Sequence, residues 1–151
     1  MFKNILLPTD GSELSERAIK RGISFAKEQD ARITGLYVVP ESTPGDIWDV
    51  WSPEDSKEGK AFREKFEYQL ECVARNYLRI IETLAQESGV SCETLHLLGI
   101  SPSEGILKIA KERNCDLIFM ASHGRTGVGA LLGSVTLKVL TGSEIPVLVY
   151  R

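Results

Sequence analysis

The chain has 151 residues, a length at which one domain buries its own hydrophobic core. Apolar residues make up 42% and charged residues 26%, a balance typical of a globular protein rather than a disordered one. The formal net charge of -3, without a basic run, argues against a nucleic-acid-binding protein. No apolar stretch approaches the roughly 18 residues of a membrane span, and the first apolar run is too short for a signal peptide. We therefore expect one cytoplasmic domain over residues 1–151, with no membrane or nucleic-acid partner.

Strand-like and helical patterns alternate along the chain. Short runs rich in apolar and β-branched residues predict strands at 4–7, 32–39, 91–97, 116–121 and 146–150. Strands that alternate with helices of this length are typical of right-handed crossovers. The fold class is therefore predicted as α/β, with a parallel sheet covered by helices on both faces.

Four helices are predicted between these strands. The first is expected to begin near Ser12, and the second carries a long apolar stripe over residues 62–84. The third starts at residues 101–104, where Ser-Pro-Ser-Glu is the pattern of a capping box. The fourth is expected over residues 134–141, with Gly142 as a left-handed terminator.

The segment 40–59 between the second strand and the second helix does not fit this alternation. It holds three of the six prolines, Trp48, Trp51 and several acids. A connection of this length is often functional, as a lid or a partner surface. A flap whose tryptophans only cover the edge of the sheet explains it equally well, and both interpretations stay open.

The three cysteines, Cys72, Cys92 and Cys115, are widely spaced and include no CxxC pair. Such a set forms neither a disulfide framework nor a cysteine zinc site. Reduced thiols agree with a cytoplasmic location. Because Cys92 and Cys115 fall in apolar patterns, we expect inert core thiols there rather than nucleophiles.

Two segments that follow strands carry ligand-binding chemistry. Ligands of open parallel sheets bind beyond the carboxyl ends of the strands. Pro8, Thr9, Asp10, Gly11 and Ser12 follow the first strand, and such a turn either contacts ribose, metal or phosphate or only caps the next helix. The segment 121–136 follows the fourth strand and has four glycines within ten residues. Its backbone N–H groups and the next helix N-terminus favour an anion over an empty surface loop. Side-chain donors are added by Arg125, Ser134 and Thr136.

Motifs of known enzymes are absent from the sequence. There is no GxxxxGK[ST], which excludes a P-loop NTPase, and too few residues follow Gly127 for a dinucleotide-binding unit. Ser122 and His123 are neighbours whose side chains are expected to point apart, which disfavours a Ser-His-Asp triad. His96 alternates with leucines on a strand and is expected to be structural. The sequence therefore does not indicate a catalysed reaction.

Taken together, these segments resemble the universal stress protein family over nearly the whole chain. The likeness rests on KNILLPTDGS at 3–12, LYVVP at 36–40, CDLIFMASHGR at 115–125, GSVT at 133–136 and IPVLVYR at 145–151. The resemblance implies a Rossmann-like, five-stranded parallel sheet in the order 3-2-1-4-5. Strands one and four are neighbours in that order, so the turn at Asp10 and the loop at Gly124 would face each other across one crevice.

The resemblance also implies that ATP, ADP or AMP binds in this crevice. Asp10 would approach the ribose or a Mg²⁺ ion held through the phosphates, and the Val38 backbone would meet the adenine. The expected binding residues are Pro8, Thr9, Asp10, Val38, Ala121, Ser122, Gly124, Arg125, Gly127, Gly133, Ser134, Val135 and Thr136. Two features depart from the family's nucleotide-binding pattern: Ala121 replaces the first glycine, and eight residues rather than nine separate Gly124 from Gly133.

The last strand is apolar and would be an aggregation hazard if its edge were open. The resemblance implies a homodimer that pairs through residues 145–150. The expected function is an ATP-binding regulatory module of the stress response, which also contacts a protein partner of unspecified kind. A dimeric interaction protein that binds no nucleotide is an alternative. A slow ATPase is another, disfavoured because the sequence shows no base or water-positioning glutamine near the loop.

Overall fold

The computed structural model describes residues 1–39, 56–124 and 131–151, which form five strands and four helices. The strands are β1 (Asn4–Thr9), β2 (Arg32–Val38), β3 (Cys92–Leu97), β4 (Leu117–Ala121) and β5 (Val147–Tyr150). The helices are α1 (Glu13–Gln29), α2 (Lys57–Ser88), α3 (Pro102–Glu112) and α4 (Ser134–Gly142). All neighbouring strands are parallel, in the order β3-β2-β1-β4-β5. The predicted fold class and strand order are confirmed.

The sheet separates two hydrophobic layers. Ile5 and Leu7 of β1 pack in the layer covered by α1 and α2, whereas Leu6 packs with Ile118 in the layer covered by α3 and α4. All four side chains are almost completely buried. Since consecutive side chains of a strand point to opposite faces, a strand buried on both sides must be apolar at every position. This explains the uninterrupted apolar runs in the sequence.

Serine side chains start the first two helices. The Ser12 hydroxyl accepts a hydrogen bond from the Ser15 N–H at 3.2 Å, which confirms the predicted start of α1. The Ser56 hydroxyl accepts one from the Gly59 N–H at 3.0 Å, so α2 begins at Lys57. The predicted flap boundary at residue 59 was therefore wrong, because residues 57–59 are helical. The rest of that segment, with Trp48 and Trp51, lies outside the described residues.

The predicted start of α3 is confirmed, since Ser101 is its N-cap and Pro102 its first residue, but one local detail of α3 and one of α4 were wrong. At the start of α3, the Ser101 hydroxyl donates to Glu104 Oε2 at 2.8 Å and makes no hydrogen bond to a helix N–H. Gly142 is the last residue of α4, and Ser143 follows it in an extended conformation with φ -79°. Gly142 lies close to α3, since a Cβ there would lie 2.9 Å from Leu107 Cδ1, at the end of that side chain.

The three cysteines are free thiols, and two of them are held in the protonated form. Burial raises the pKa of Cys115 to about 11. Burial, together with the nearby carboxylates of Glu82 and Glu93, raises the pKa of Cys92 to about 11. Cys115 is buried as predicted, whereas Cys92 is only partly buried, and in both residues the raised pKa disfavours the nucleophilic thiolate near neutral pH.

No helix within the described ranges is both long enough and apolar enough to cross a bilayer.

Candidate functional site

A crevice of about 580 Å³ opens at the carboxyl ends of β1, β2 and β4. This is the point at which the strand order reverses, where open α/β sheets bind their ligands. The volume is within the range of small-molecule sites, roughly 300–1,000 Å³. The lining residues are Pro8, Thr9, Asp10, Ser15, Tyr37, Val38, Pro102, Ile106, Met120, Ala121, His123, Gly124 and residues 131–136.

The turn between β1 and α1 is held by its own side chains. Asp10 Oδ1 accepts a hydrogen bond from the Ser12 N–H at 2.9 Å. Thr9 Oγ1 accepts two hydrogen bonds, from the Gly11 N–H at 3.1 Å and from the Ser15 hydroxyl at 3.0 Å. These contacts set the direction of the Asp10 carboxylate at the crevice before any ligand arrives.

Helix α2 supports this turn from behind through Tyr77. Gly11 has φ +73°, and a Cβ on it would overlap the Tyr77 ring. The Tyr77 ring also packs against that of Tyr37 in β2, with centroids 5.2 Å apart and planes tilted by 60°. Gly11 is thus required both for its backbone conformation and for the approach of the ring.

Gly124 brings the segment after β4 against the turn after β1. A Cβ on Gly124 would overlap Oδ2 of Asp10, so the carboxylate lies directly on the glycine backbone. The two segments that were predicted to face each other do so across this one crevice. Arg125 and Gly127, which were predicted to add to the site, lie outside the described residues.

The end of β4 and the start of α4 are joined by two hydrogen bonds. The Gly133 N–H donates to the Ser122 carbonyl at 2.8 Å, and the Thr136 hydroxyl donates to the Ala121 carbonyl at 3.0 Å. A Cβ on Gly133 would lie 3.1 Å from the His123 Cα, which leaves little room for another residue. The hydroxyl proton of Thr136 is therefore used inside the protein, and its backbone N–H is the donor that it can offer a ligand.

The N-terminus of α4 has no side-chain cap. The first helical hydrogen bond runs from the Leu137 N–H to the Gly133 carbonyl, so the amides of Ser134, Val135 and Thr136 precede it. All three residues line the crevice. A helix N-terminus that carries partial positive charge and is left uncapped at a crevice has the donors and the charge to hold an anion.

The Val38 backbone lies where the pairing of β1 with β2 stops. The Arg32 N–H donates to the Lys3 carbonyl, whereas the Ile33 N–H donates to the Ser91 carbonyl beside β3. Every second residue of β2, counted from Arg32, therefore directs its backbone N–H and C=O groups toward β1. Val38 is one of these residues. Because the last β1–β2 pair is Thr9 with Tyr37, the Val38 carbonyl falls beyond the ladder, at the crevice that Val38 lines.

The side chains of Ser122 and His123 do not point apart as predicted. Ser122 Oγ and His123 Nδ1 are 3.0 Å from each other. The strand alternation on which the prediction rested does not apply, because β4 ends at Ala121. Ser122 is buried behind the crevice, and His123 is one of the residues that line it.

The remaining predicted residues line the crevice, and sequence reasoning missed several of their neighbours. Ser15, Tyr37, Pro102, Ile106, Met120, His123, Leu131 and Leu132 also line it. Pro102 and Ile106 reach it because α3 packs closely on β2: a Cβ on Gly105 would lie 2.8 Å from Val38 Cγ2. A glycine within a helix pattern was the one signal of this approach in the sequence.

The described ranges contain no group of three His, Cys, Asp or Glu side chains placed to hold a metal ion. Asp10 is the carboxylate that lines the crevice, so it fits a metal whose other ligands come from a bound molecule.

Comparison with known proteins agrees with this geometry. The model of the universal stress protein family matches residues 1–151. The chain belongs to the universal stress protein family. Universal stress protein MJ0531 of Methanocaldococcus jannaschii is 35% identical over 157 residues, which cover all of this chain and 83% of that protein.

Solved structures of universal stress proteins share the fold. The structure of MJ0577, from the same archaeon, is 33% identical to this chain and has a TM-score of 0.81, with 99% of this chain and 96% of that one covered. A more distant structure in complex with cAMP has 22% identity and a TM-score of 0.65 over 99% of this chain and 97% of that one. One from Archaeoglobus fulgidus in complex with dAMP has 17% identity and a TM-score of 0.59 over 100% and 98%.

Proposed function

We propose that the chain binds an adenine nucleotide, ATP or a close relative, in the crevice and acts as a nucleotide-controlled regulatory module of the stress response. The observation that carries the proposal is the uncapped N-terminus of α4, which lies beside the Asp10–Gly124 contact at the switch point of the sheet. The family members solved with cAMP and dAMP support an adenine nucleotide as the ligand class.

The phosphate groups belong at the start of α4. The amides of Ser134, Val135 and Thr136 supply N–H donors that no helical hydrogen bond uses, and the helix end adds partial positive charge. The Ser134 hydroxyl adds a further donor. The hydrogen bonds of Gly133 and Thr136 to the end of β4 hold these amides in place, so little reorganisation is needed when phosphate binds.

The adenine belongs between β2 and α3. Val38, Ile106 and Met120 supply apolar surface there, as a flat aromatic base requires. The Val38 carbonyl, beyond the end of the β1–β2 ladder, would accept a hydrogen bond from the adenine amino group. Guanine has a carbonyl at that position, which gives the site a reason to prefer adenine.

The ribose and any Mg²⁺ ion belong beside Asp10. Its Oδ1 is held by the Ser12 N–H, and its Oδ2 lies against Gly124. A carboxylate in this position accepts hydrogen bonds from ribose hydroxyls, or it supplies one oxygen ligand to a Mg²⁺ ion that the phosphates also hold.

A regulatory role is proposed in preference to catalysis. Among the described residues, Asp10 is the acidic group at the crevice and is engaged by the Ser12 N–H, and His123, which also lines the crevice, has its Nδ1 3.0 Å from the Ser122 hydroxyl. Neither group is placed as a base for an attacking water. Any ATP hydrolysis should therefore be slow relative to the exchange of bound nucleotide.

Calorimetric titration of nucleotide-stripped protein tests the proposed ligand. Mg-ATP should bind with a dissociation constant in the micromolar range or below, and Mg-GTP more weakly, because guanine has a carbonyl oxygen where adenine has the amino group that would donate to the Val38 carbonyl. Titrations with ADP and AMP would rank the contribution of each phosphate. No heat at several temperatures would show that Ala121 and the shortened loop have abolished the site, and would favour the interaction protein that binds no nucleotide.

Pairing of two copies through β5 is part of the same proposal. The Ile118 and Ser122 N–H groups donate to the carbonyls of Pro146 and Tyr150, so the backbone groups of Val147 and Val149 point away from β4. Within the described part of the chain β5 is the last strand of the sheet. An antiparallel β5 from a second copy would satisfy these groups, so light scattering at micromolar concentration should give twice the 16.7 kDa chain mass. A mass of one chain would contradict the pairing.

A further inference from the structure

We propose that occupation of the crevice and pairing through β5 strengthen each other, because Leu131 and Leu132 belong to both surfaces. This inference rests on the proposed function, since it concerns regulation of the same site. These two side chains belong to an apolar patch next to β5, the leucine surface, and the partner that covers it is a second copy of this chain.

The leucine surface is a shallow concavity between α4 and β5. It is lined by Leu131, Leu132, Leu137, Leu140, Val149 and Arg151. Leu131 is 80% exposed and Leu137 is 53% exposed, although large apolar side chains grouped in one patch are normally covered. Thr136 and Val139 of α4 are buried within the chain, and Leu137 and Leu140 lie on a neighbouring face of the same helix, so α4 is apolar over a wider arc than the chain itself covers.

A second copy of the chain fits this surface. Val149 joins the two features: its backbone groups point out from the edge of the sheet, and its side chain lines the leucine surface. A two-fold axis that pairs β5 with its counterpart antiparallel also brings the leucine surface of each copy to the other. An unrelated partner would have to supply both an extended strand and an apolar face in the same geometry.

The crevice and the leucine surface share two side chains. Leu131 and Leu132 line the crevice on one side and the leucine surface on the other. They precede α4 and lie in neither a helix nor a strand. Either the nucleotide in the crevice or the second copy on the leucine surface restricts the rotamers of these leucines. Whichever binds second then loses less side-chain entropy, because the leucines are already ordered. The coupling is therefore favourable and, because it is thermodynamic, equal in both directions.

Sedimentation of nucleotide-stripped protein over a dilution series measures this coupling. Saturating Mg-ATP should lower the dissociation constant of the dimer by about fivefold to twentyfold. In the reciprocal measurement, Leu140→Glu places a charge on the leucine surface outside the crevice and should give a monomer. Because each dimer binds two nucleotides, that monomer should bind Mg-ATP more weakly than the wild-type dimer by the square root of that factor, about twofold to fourfold.

Two further variants complete the test. Leu98→Glu puts the same charge on a residue that is 41% exposed and lines neither surface, so it should leave the dimer and the coupling unchanged. Leu131→Ala shortens a shared side chain and should reduce the coupling factor, with Mg-ATP still bound.

The outcomes separate this inference from the proposed function. A dimer whose dissociation constant is the same with and without bound Mg-ATP overturns the coupling and leaves nucleotide binding intact. A wild-type protein that is monomeric in both states overturns the leucine surface as a docking site. A dimer that binds no nucleotide overturns the proposed function and the coupling together.

Discussion

Replacing Gly124 with tryptophan should weaken the binding of Mg-ATP by about a hundredfold or more, a loss of at least about 2.7 kcal/mol. A Cβ on residue 124 already overlaps the Asp10 carboxylate, and the indole would extend into the crevice that Gly124 lines. The carboxylate would have to leave its hydrogen bond with the Ser12 N–H. Calorimetry of the stripped variant measures the loss, and circular dichroism with thermal unfolding verifies that the variant is folded.

The matched control is Leu98→Trp. It adds the same indole at an exposed position outside the crevice, so its affinity for Mg-ATP should equal that of the wild type. A Gly124→Trp variant that is folded and binds Mg-ATP normally would show that the nucleotide lies elsewhere, and would count against the crevice as the site.

Replacing Gly11 with alanine should lower the free energy of unfolding by about 2–5 kcal/mol. Its φ of +73° carries a cost of roughly 1–2 kcal/mol for an alanine. The overlap of the new methyl group with the Tyr77 ring adds about 1–3 kcal/mol of overpacking. For a domain of this length the melting temperature should fall by about 10 °C, which differential scanning calorimetry measures.

Gly89 provides the control for backbone conformation. Its φ is +72°, nearly that of Gly11, but a Cβ on it would meet nothing within 4 Å. Gly89→Ala should therefore lower the free energy of unfolding only by the cost of placing alanine in this backbone conformation, about 1–2 kcal/mol. In a Tyr77→Ala background, Gly11→Ala should cost no more than Gly89→Ala does. Equal losses for the two glycines in the wild-type background would show that Tyr77 does not press on the turn.

The turn after β1 serves both the fold and the site. The Asp10 carboxylate accepts a hydrogen bond from the Ser12 N–H just before α1, and the same carboxylate lies against Gly124 at the crevice. Ser12 in turn caps α1 through the Ser15 N–H. Substitutions here will therefore change stability and affinity together, so each variant needs both measurements.

Local chemistry determined much of what the sequence predicted. The apolar and β-branched runs identified the five strands to within a few residues, and they are most nearly continuous in β1 and β4, which are buried on both faces. Ser12 marked the start of α1, because capping depends on residues within one turn of the chain. The turn at Asp10 and the segment 121–136 were recognised because glycines and hydroxyls followed strands. The order of the strands came from the family resemblance, since periodicity carries no information on which strands are neighbours.

Other features depend on contacts between residues distant in the sequence. Tyr77 presses on Gly11 across 66 positions, and Gly142 lies against the end of the Leu107 side chain of α3. Pro102 and Ile106 reach the crevice because Gly105 lets α3 approach β2.

The sequence by itself determined the class of fold, the elements and the two segments that carry the site, because each depends on short-range periodicity or turn chemistry. Only the tertiary structure decided which helices line the crevice, that Ser122 turns its hydroxyl to His123, and that Leu131 and Leu132 line two surfaces at once. These features arise where separate elements pack against each other. How one element packs on another cannot be deduced from the residue pattern of either.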